Sequence, residues 1–215
     1  MDTISPKNSV PAETAKLLRL ATYASVSVAI FLITVKLIAW GRSDSVSLLA
    51  TLVDSVLDAF ASIISLIAVR HALTPADKEH RFGHGKAEAL AGLSQSLFIT
   101  GSSLFILIEA AQTFFNPTEI KHAFAGIAVM GISIIATLIL VSFQQYVIKK
   151  TQSVAISADA LHYKSDILMN IAVIIALWLT TIGLNIFDPI IGALIACYIL
   201  YSVWSIISIS LDQLM

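Results

Sequence analysis

The sequence predicts an all-α integral membrane protein of six transmembrane helices with both termini in the cytoplasm. Three observations carry this. Of 215 residues, 57% are hydrophobic and only 13% are charged, against roughly a quarter charged in soluble proteins. Polar punctuation cuts the chain into about six apolar stretches, each long enough to cross a hydrocarbon core of about 30 Å. Strand-like alternation with a period of two is absent, which argues against an outer-membrane barrel. Continuous apolar runs cross lipid as helices, because every backbone N–H and C=O must be paired within the segment.

The elements follow in order. Residues 1–14 are polar and carry Pro6 and Pro11. They lack the basic start, short apolar core and cleavage site of a signal peptide, and read as a cytoplasmic tail. The first span is expected at about Leu17 to Trp40, ending at Gly41-Arg42. The second runs from about Val46 to Ala72, before Thr74-Pro75, and the third from about Lys86 to Phe115, before Asn116-Pro117. The fourth runs from about Ala123 to Ile148, ending at Lys149-Lys150. The fifth covers about Val154 to Ile182 and the sixth about Pro189 to Leu211. Residues 15–215 thus form one six-helix domain.

Orientation follows from the basic residues. Lys7, Lys16, Arg19, Arg70, Lys78, Arg81, Lys86, Lys149 and Lys150 fall on the side of the termini; Arg42 and Lys121 fall opposite. Trp40, Trp178 and Trp204 lie towards span ends, as interfacial anchors do. Gly92, Ser94, Gly101 and Ser102 in the third span, with Gly192 and Ala196 in the sixth, allow close helix approach. Little chain remains for a soluble domain, which excludes a cytosolic enzyme and a secreted disulfide scaffold. A formal charge of −1 offers no footprint for nucleic acid. Cys197 is the sole cysteine and has no internal disulfide partner.

Ionisable residues at membrane depth are functional candidates. The second span holds Asp54 and Asp58; the fifth holds His162 and Asp166. Spaced i, i+4, each pair lies on one helix face. Each pair also sits about 8 and 12 residues in from its own surface, or roughly 12–18 Å deep at the helical rise. Two antiparallel helices therefore bring three carboxylates and one imidazole to the midplane. That set suits tetrahedral zinc. Magnesium and calcium prefer more oxygens, and no thiolate is present for Cu(I). The competing reading pairs the carboxylates with Lys36 or Lys164, or makes them a proton relay. Close carboxylates in poorly hydrated surroundings hold protons. A divalent cation displaces them, so midplane binding with alternating access exchanges metal for protons.

The connection between the second and third spans, Thr74 to Lys86, supplies Asp77, His80 and His84 as a candidate surface metal site. The alternative is an ordinary helix start, with Thr74 as N-cap and Pro75 at the first position. Asp159, one turn before His162, reads as lining an access path or capping the fifth span. Tyr163 and Lys164 face away from His162. Lys36 and Glu109, near the outer span ends, are placed to snorkel outward. Lys86 is a candidate salt-bridge residue without a nameable mate.

These residues resemble the cation diffusion facilitator family, most closely its bacterial zinc and ferrous-iron efflux branch. The likeness covers about residues 15–215. It rests on Asp54-x-x-x-Asp58, on Leu161-His162-Tyr163-Lys164-Ser165-Asp166, and on His80-Arg81-Phe82-Gly83-His84-Gly85-Lys86-Ala87-Glu88. The resemblance implies a homodimeric metal–proton antiporter of the bacterial inner membrane that exports Zn2+, with Cd2+ or Fe2+ as further cargo. It implies a transport site at Asp54, Asp58, His162 and Asp166, and a second zinc site at Asp77, His80 and His84. Family members usually add a cytoplasmic C-terminal domain; this sequence stops at Leu214-Met215, so that domain is expected to be absent. A membrane metal sensor or dimerisation partner without transport is the competing function.

Overall fold

The computed structural model describes residues 11–43, 46–74, 84–115, 123–181 and 187–215. Six helices account for nearly all of them: α1 Ala12–Ser43, α2 Val46–Ala72, α3 Lys86–Phe115, α4 Ala123–Thr151, α5 Val154–Thr181 and α6 Phe187–Leu214. Helices α2 and α3 occupy the expected bounds. Helix α1 starts five residues before Leu17, so Ala12 to Thr14 belong to the helix rather than to the tail. The Pro11 carbonyl accepts from Ala15 N–H at 3.0 Å, and Glu13 sits in the first turn where an acidic group favours the helix dipole. Pro189 falls in the first turn of α6, where its missing N–H costs nothing.

Five of the helices, α1 to α4 and α6, have the length and hydropathy to cross a membrane. Helix α5 differs, carrying Asp159, His162, Lys164 and Asp166 in its first half. It is also the helix that packs against all five others. Burial and polarity thus coincide on one element. Phe105, Ile139 and Tyr201 project outward, exposed by 65%, 69% and 83%, as expected of a lipid-facing surface.

The α4–α5 connection is tight. Gln152 adopts a left-handed φ of 54° and its N–H caps the Ile148 carbonyl at 2.8 Å, as a residue ending a helix does. Ser153 then caps α5, its Oγ accepting from Ile156 N–H at 3.2 Å. In lipid the hydroxyls must also be paired. Ser96, Thr100, Ser103 and Thr137 each donate to the carbonyl four residues back.

Gly92 is where small size matters most. A Cβ there would lie 2.9 Å from Val154 Cγ1 and 3.1 Å from Ser210 Oγ, so α3 meets α5 and α6 at this point. Gly92→Val is expected to cost about 1–3 kcal/mol through overpacking, read as a lower thermal midpoint in detergent; an unchanged midpoint would contradict the close approach. Nearby, Lys86 Nζ donates to the Leu214 carbonyl at 2.7 Å. That is the mate of Lys86: a helix C-terminal carbonyl rather than a side chain, and a cation is favoured there. The start of α3 therefore lies beside the end of α6, and the beginning of α1 and the end of α6 share one face of the bundle.

That face is closed by an apolar layer. Leu18, Ala21, Val69, Ala91, Val147, Ala155 and Ile156 form one buried cluster drawn from α1 to α5.

Candidate metal centre

Above this layer, α2 and α5 bring their ionisable residues together. His162 Nε2 lies 2.8 Å from Asp58 Oδ1 and 3.9 Å from Asp166 Oδ2. One ligand atom from each of the three residues falls within 4.8 Å of the others. Asp58 and His162 are largely buried, with side chains 11% and 16% exposed, while Asp166 is 29% exposed. The i, i+4 spacing of His162 and Asp166 places both on the α5 face that meets α2. Asp54, one turn from Asp58, is exposed and lines the same cavity, outside the three-residue group.

The cavity has a volume of about 520 Å³. Its lining runs through Lys36, Thr51, Asp54 and Glu109 down to Asp58, His162 and Asp166. These positions lie away from the termini face on every helix that contributes, so the ligands are reached from the face opposite the termini. Lys36 does not snorkel outward. Its Nζ donates to Ser55 Oγ at 2.6 Å and to the Thr51 carbonyl at 3.0 Å, holding a cation on α2 beside the cavity. Lys164 is exposed and directed away from the ligand group.

The chemistry suits a divalent cation. Tetrahedral zinc bonds of about 2.0–2.1 Å imply ligand atoms about 3.3 Å apart. The 2.8 Å pair must open slightly and the wider pairs contract by an ångström or so, which side-chain rotation accommodates. Asp54 is one turn away on α2 and lines the same cavity.

Asp159 lines no open path in this structure. It is fully buried and accepts from Ser25 Oγ at 2.5 Å, Gln144 Nε2 at 2.6 Å and Gln95 Nε2 at 2.9 Å, with Ser62 Oγ at 3.5 Å. Tyr163 faces away from the ligand group, into this same cluster. It is 1% exposed, its hydroxyl lies 2.9 Å from Ser62 Oγ, and it donates to the Ser25 carbonyl at 3.3 Å. Reading for ionisable residues alone misses this cluster. The available signal was two glutamines, Gln95 and Gln144, inside otherwise apolar spans.

Of the second cluster, Asp77 and His80 lie outside the described residues. His84 is buried, and its ring packs edge-on against His71 with centroids 4.4 Å apart.

Residues 22–215 match the cation efflux transmembrane domain family. The cation-efflux pump FieF of Serratia proteamaculans is 46% identical over 188 residues, covering 87% of this chain and 63% of that protein. The proteins of the same name from Salmonella arizonae and Pectobacterium carotovorum are each 48% identical, over 187 and 188 residues. They are covered for 62% and 63% of their lengths and cover 87% of this chain. The chain therefore spans a little over three fifths of the relatives it matches. With a ligand group at the heart of a six-helix bundle and a match over almost its whole length, the chain belongs to the cation efflux family, the cation diffusion facilitators.

Proposed function

We propose that the chain forms the transport core of a divalent-cation exporter, moving zinc foremost, and cadmium or ferrous iron as well, in exchange for protons. The observation that carries this reading is the Asp58–His162–Asp166 group at the foot of a cavity open to one face of the bundle. Asp54, Asp58, His162 and Asp166 form the transport site. Cation binding requires them deprotonated, so loading releases protons and unloading takes them up. The lone imidazole biases the site towards zinc over harder ions. Asp77, His80 and His84 form a second, loop site. The excess of basic residues on the termini side supports a reading in which both termini are in the cytoplasm of an inner-membrane protein, and the working unit is a homodimer.

The reading is supported together by the relatives, which are cation-efflux pumps, and by the ligand chemistry. Zinc flux into proteoliposomes tests it: the wild type is expected to carry zinc across the bilayer. Binding without flux would favour a sensor. Replacing His162 with Asp removes the one nitrogen ligand, and zinc is expected to lose about tenfold of its advantage over manganese. An unaltered order of metal affinities would remove His162 from the ligand set.

A further inference from the structure

The cluster around Asp159 lies outside the Asp58–His162–Asp166 group, yet it joins more elements than any other polar group described. Ser25 comes from α1, Ser62 from α2, Gln95 from α3, Gln144 from α4, and Asp159 and Tyr163 from α5. On each helix the contributing residue sits between the apolar layer at the termini face and the ligand cavity. On α5 the order is Ile156, Asp159, His162, Asp166; on α2 it is Val69, Ser62, Asp58, Asp54; on α3 it is Ala91, Gln95, Ile99. The cluster therefore lies across any route from the ligands to the termini face.

We propose that this cluster is the latch of the gate on the termini face, and that Asp159 is a positioning residue for cation exchange. The proposal rests on the transport reading above. One carboxylate satisfies donors from four other helices, so a shift of α5 against α1 to α4 breaks these bonds together rather than one by one. Such a set has two discrete states, shut and open, as a gate requires. The shut state is also imperfect. Gln95 Oε1 and Gln144 Oε1 are buried without a hydrogen-bond partner among the described residues. Gln95 Nε2 donates to Asp159, Gln144 Nε2 donates to Asp159 and to Ser25 Oγ, and both amide oxygens are left unpaired. Opening to water pairs those oxygens, which offsets the loss of the carboxylate bonds and keeps the two states close in free energy. Because His162 is on the adjacent turn of α5, the motion that frees Asp159 also turns the ligand towards the termini face.

The test reads sidedness rather than stability. In the chain carrying Cys197→Ser, a reporter Ser102→Cys lines the cavity. A membrane-impermeant thiol reagent applied to oriented vesicles is expected to label it mainly from the face opposite the termini. Adding Asp159→Asn places an amide donor among four donors and breaks at least one bond. Labelling from the termini face is then expected to rise about fivefold, the shift that the loss of one buried hydrogen bond produces, with zinc affinity retained. Should Asp159→Asn fail to fold, Gln144→Leu removes one donor and carries the same expectation. A folded variant with lowered thermal stability and unchanged sidedness overturns the latch, because a purely structural cluster would behave that way. A wild type that binds zinc without moving it defeats the transport reading instead, and sidedness then decides the latch alone.

Discussion

His162→Ala is expected to abolish high-affinity zinc binding within the bundle, weakening it by at least about a hundredfold. The imidazole is the only nitrogen donor in the group, and it lies within reach of both Asp58 and Asp166. Loss of even a supporting contact to a metal ligand typically costs 10–100-fold in affinity, so loss of a ligand costs no less. Zinc titration by calorimetry checks this, in a chain that also carries His80→Ala and His84→Ala so that the loop does not report. The aliphatic substitution also leaves the Asp58 carboxylate without its partner, yet Asp58 stays hydrated from the cavity, so the fold should survive. Unchanged affinity in a folded His162→Ala chain would place the ion elsewhere.

Asp159→Ala is expected to be the most destabilising single substitution in the bundle, at about 3–5 kcal/mol. Removing the carboxylate takes the acceptor from Gln95 Nε2 and from one N–H of Gln144, while Ser25 Oγ retains the Ala21 carbonyl at 3.1 Å. Each stranded buried donor costs about 1–3 kcal/mol, and the side chains share one small space, so the costs are less than additive. The thermal midpoint in detergent should fall well below that of Gly92→Val. A loss under about 1 kcal/mol would mean that the two amides find other partners.

Much of this architecture was legible in the sequence because lipid leaves few choices. Runs such as Val46–Ala72 and Lys86–Phe115 have one way to satisfy their backbone, and the helices occur where the runs do. Asp58, His162 and Asp166 were equally legible. An i, i+4 pair fixes a face, distance from the helix entrance fixes a depth, and two such pairs at one depth meet. What failed was reasoning about where single polar side chains turn. Lys36 has a long stem that reaches outward in principle, but Ser55 and the Thr51 carbonyl offer it partners on the neighbouring helix. Asp159 looked like a cap or an access residue because it lies near the start of α5. Its burial depends on four other helices converging there, which no local pattern encodes. Tyr163 turns away from the ligands as its adjacency to His162 implies, but adjacency says only which way it departs from that face, not that Ser25 and Ser62 wait on the other side. The ends of α1 and α6 extended beyond the apolar runs because helical hydrogen bonding continues past the hydrocarbon wherever residues such as Ala12 to Lys16 permit it.

The central claim is that Asp58, His162 and Asp166, with Asp54, carry a cation across the membrane against protons. Simultaneous recording of zinc and proton movement in proteoliposomes, for the wild type and for Asp58→Asn, tests it most directly. The account predicts zinc and protons moving in opposite directions in the wild type, and neither flux in the variant. Zinc movement that persists in Asp58→Asn, or zinc movement in the wild type with no opposing proton flux, would contradict it.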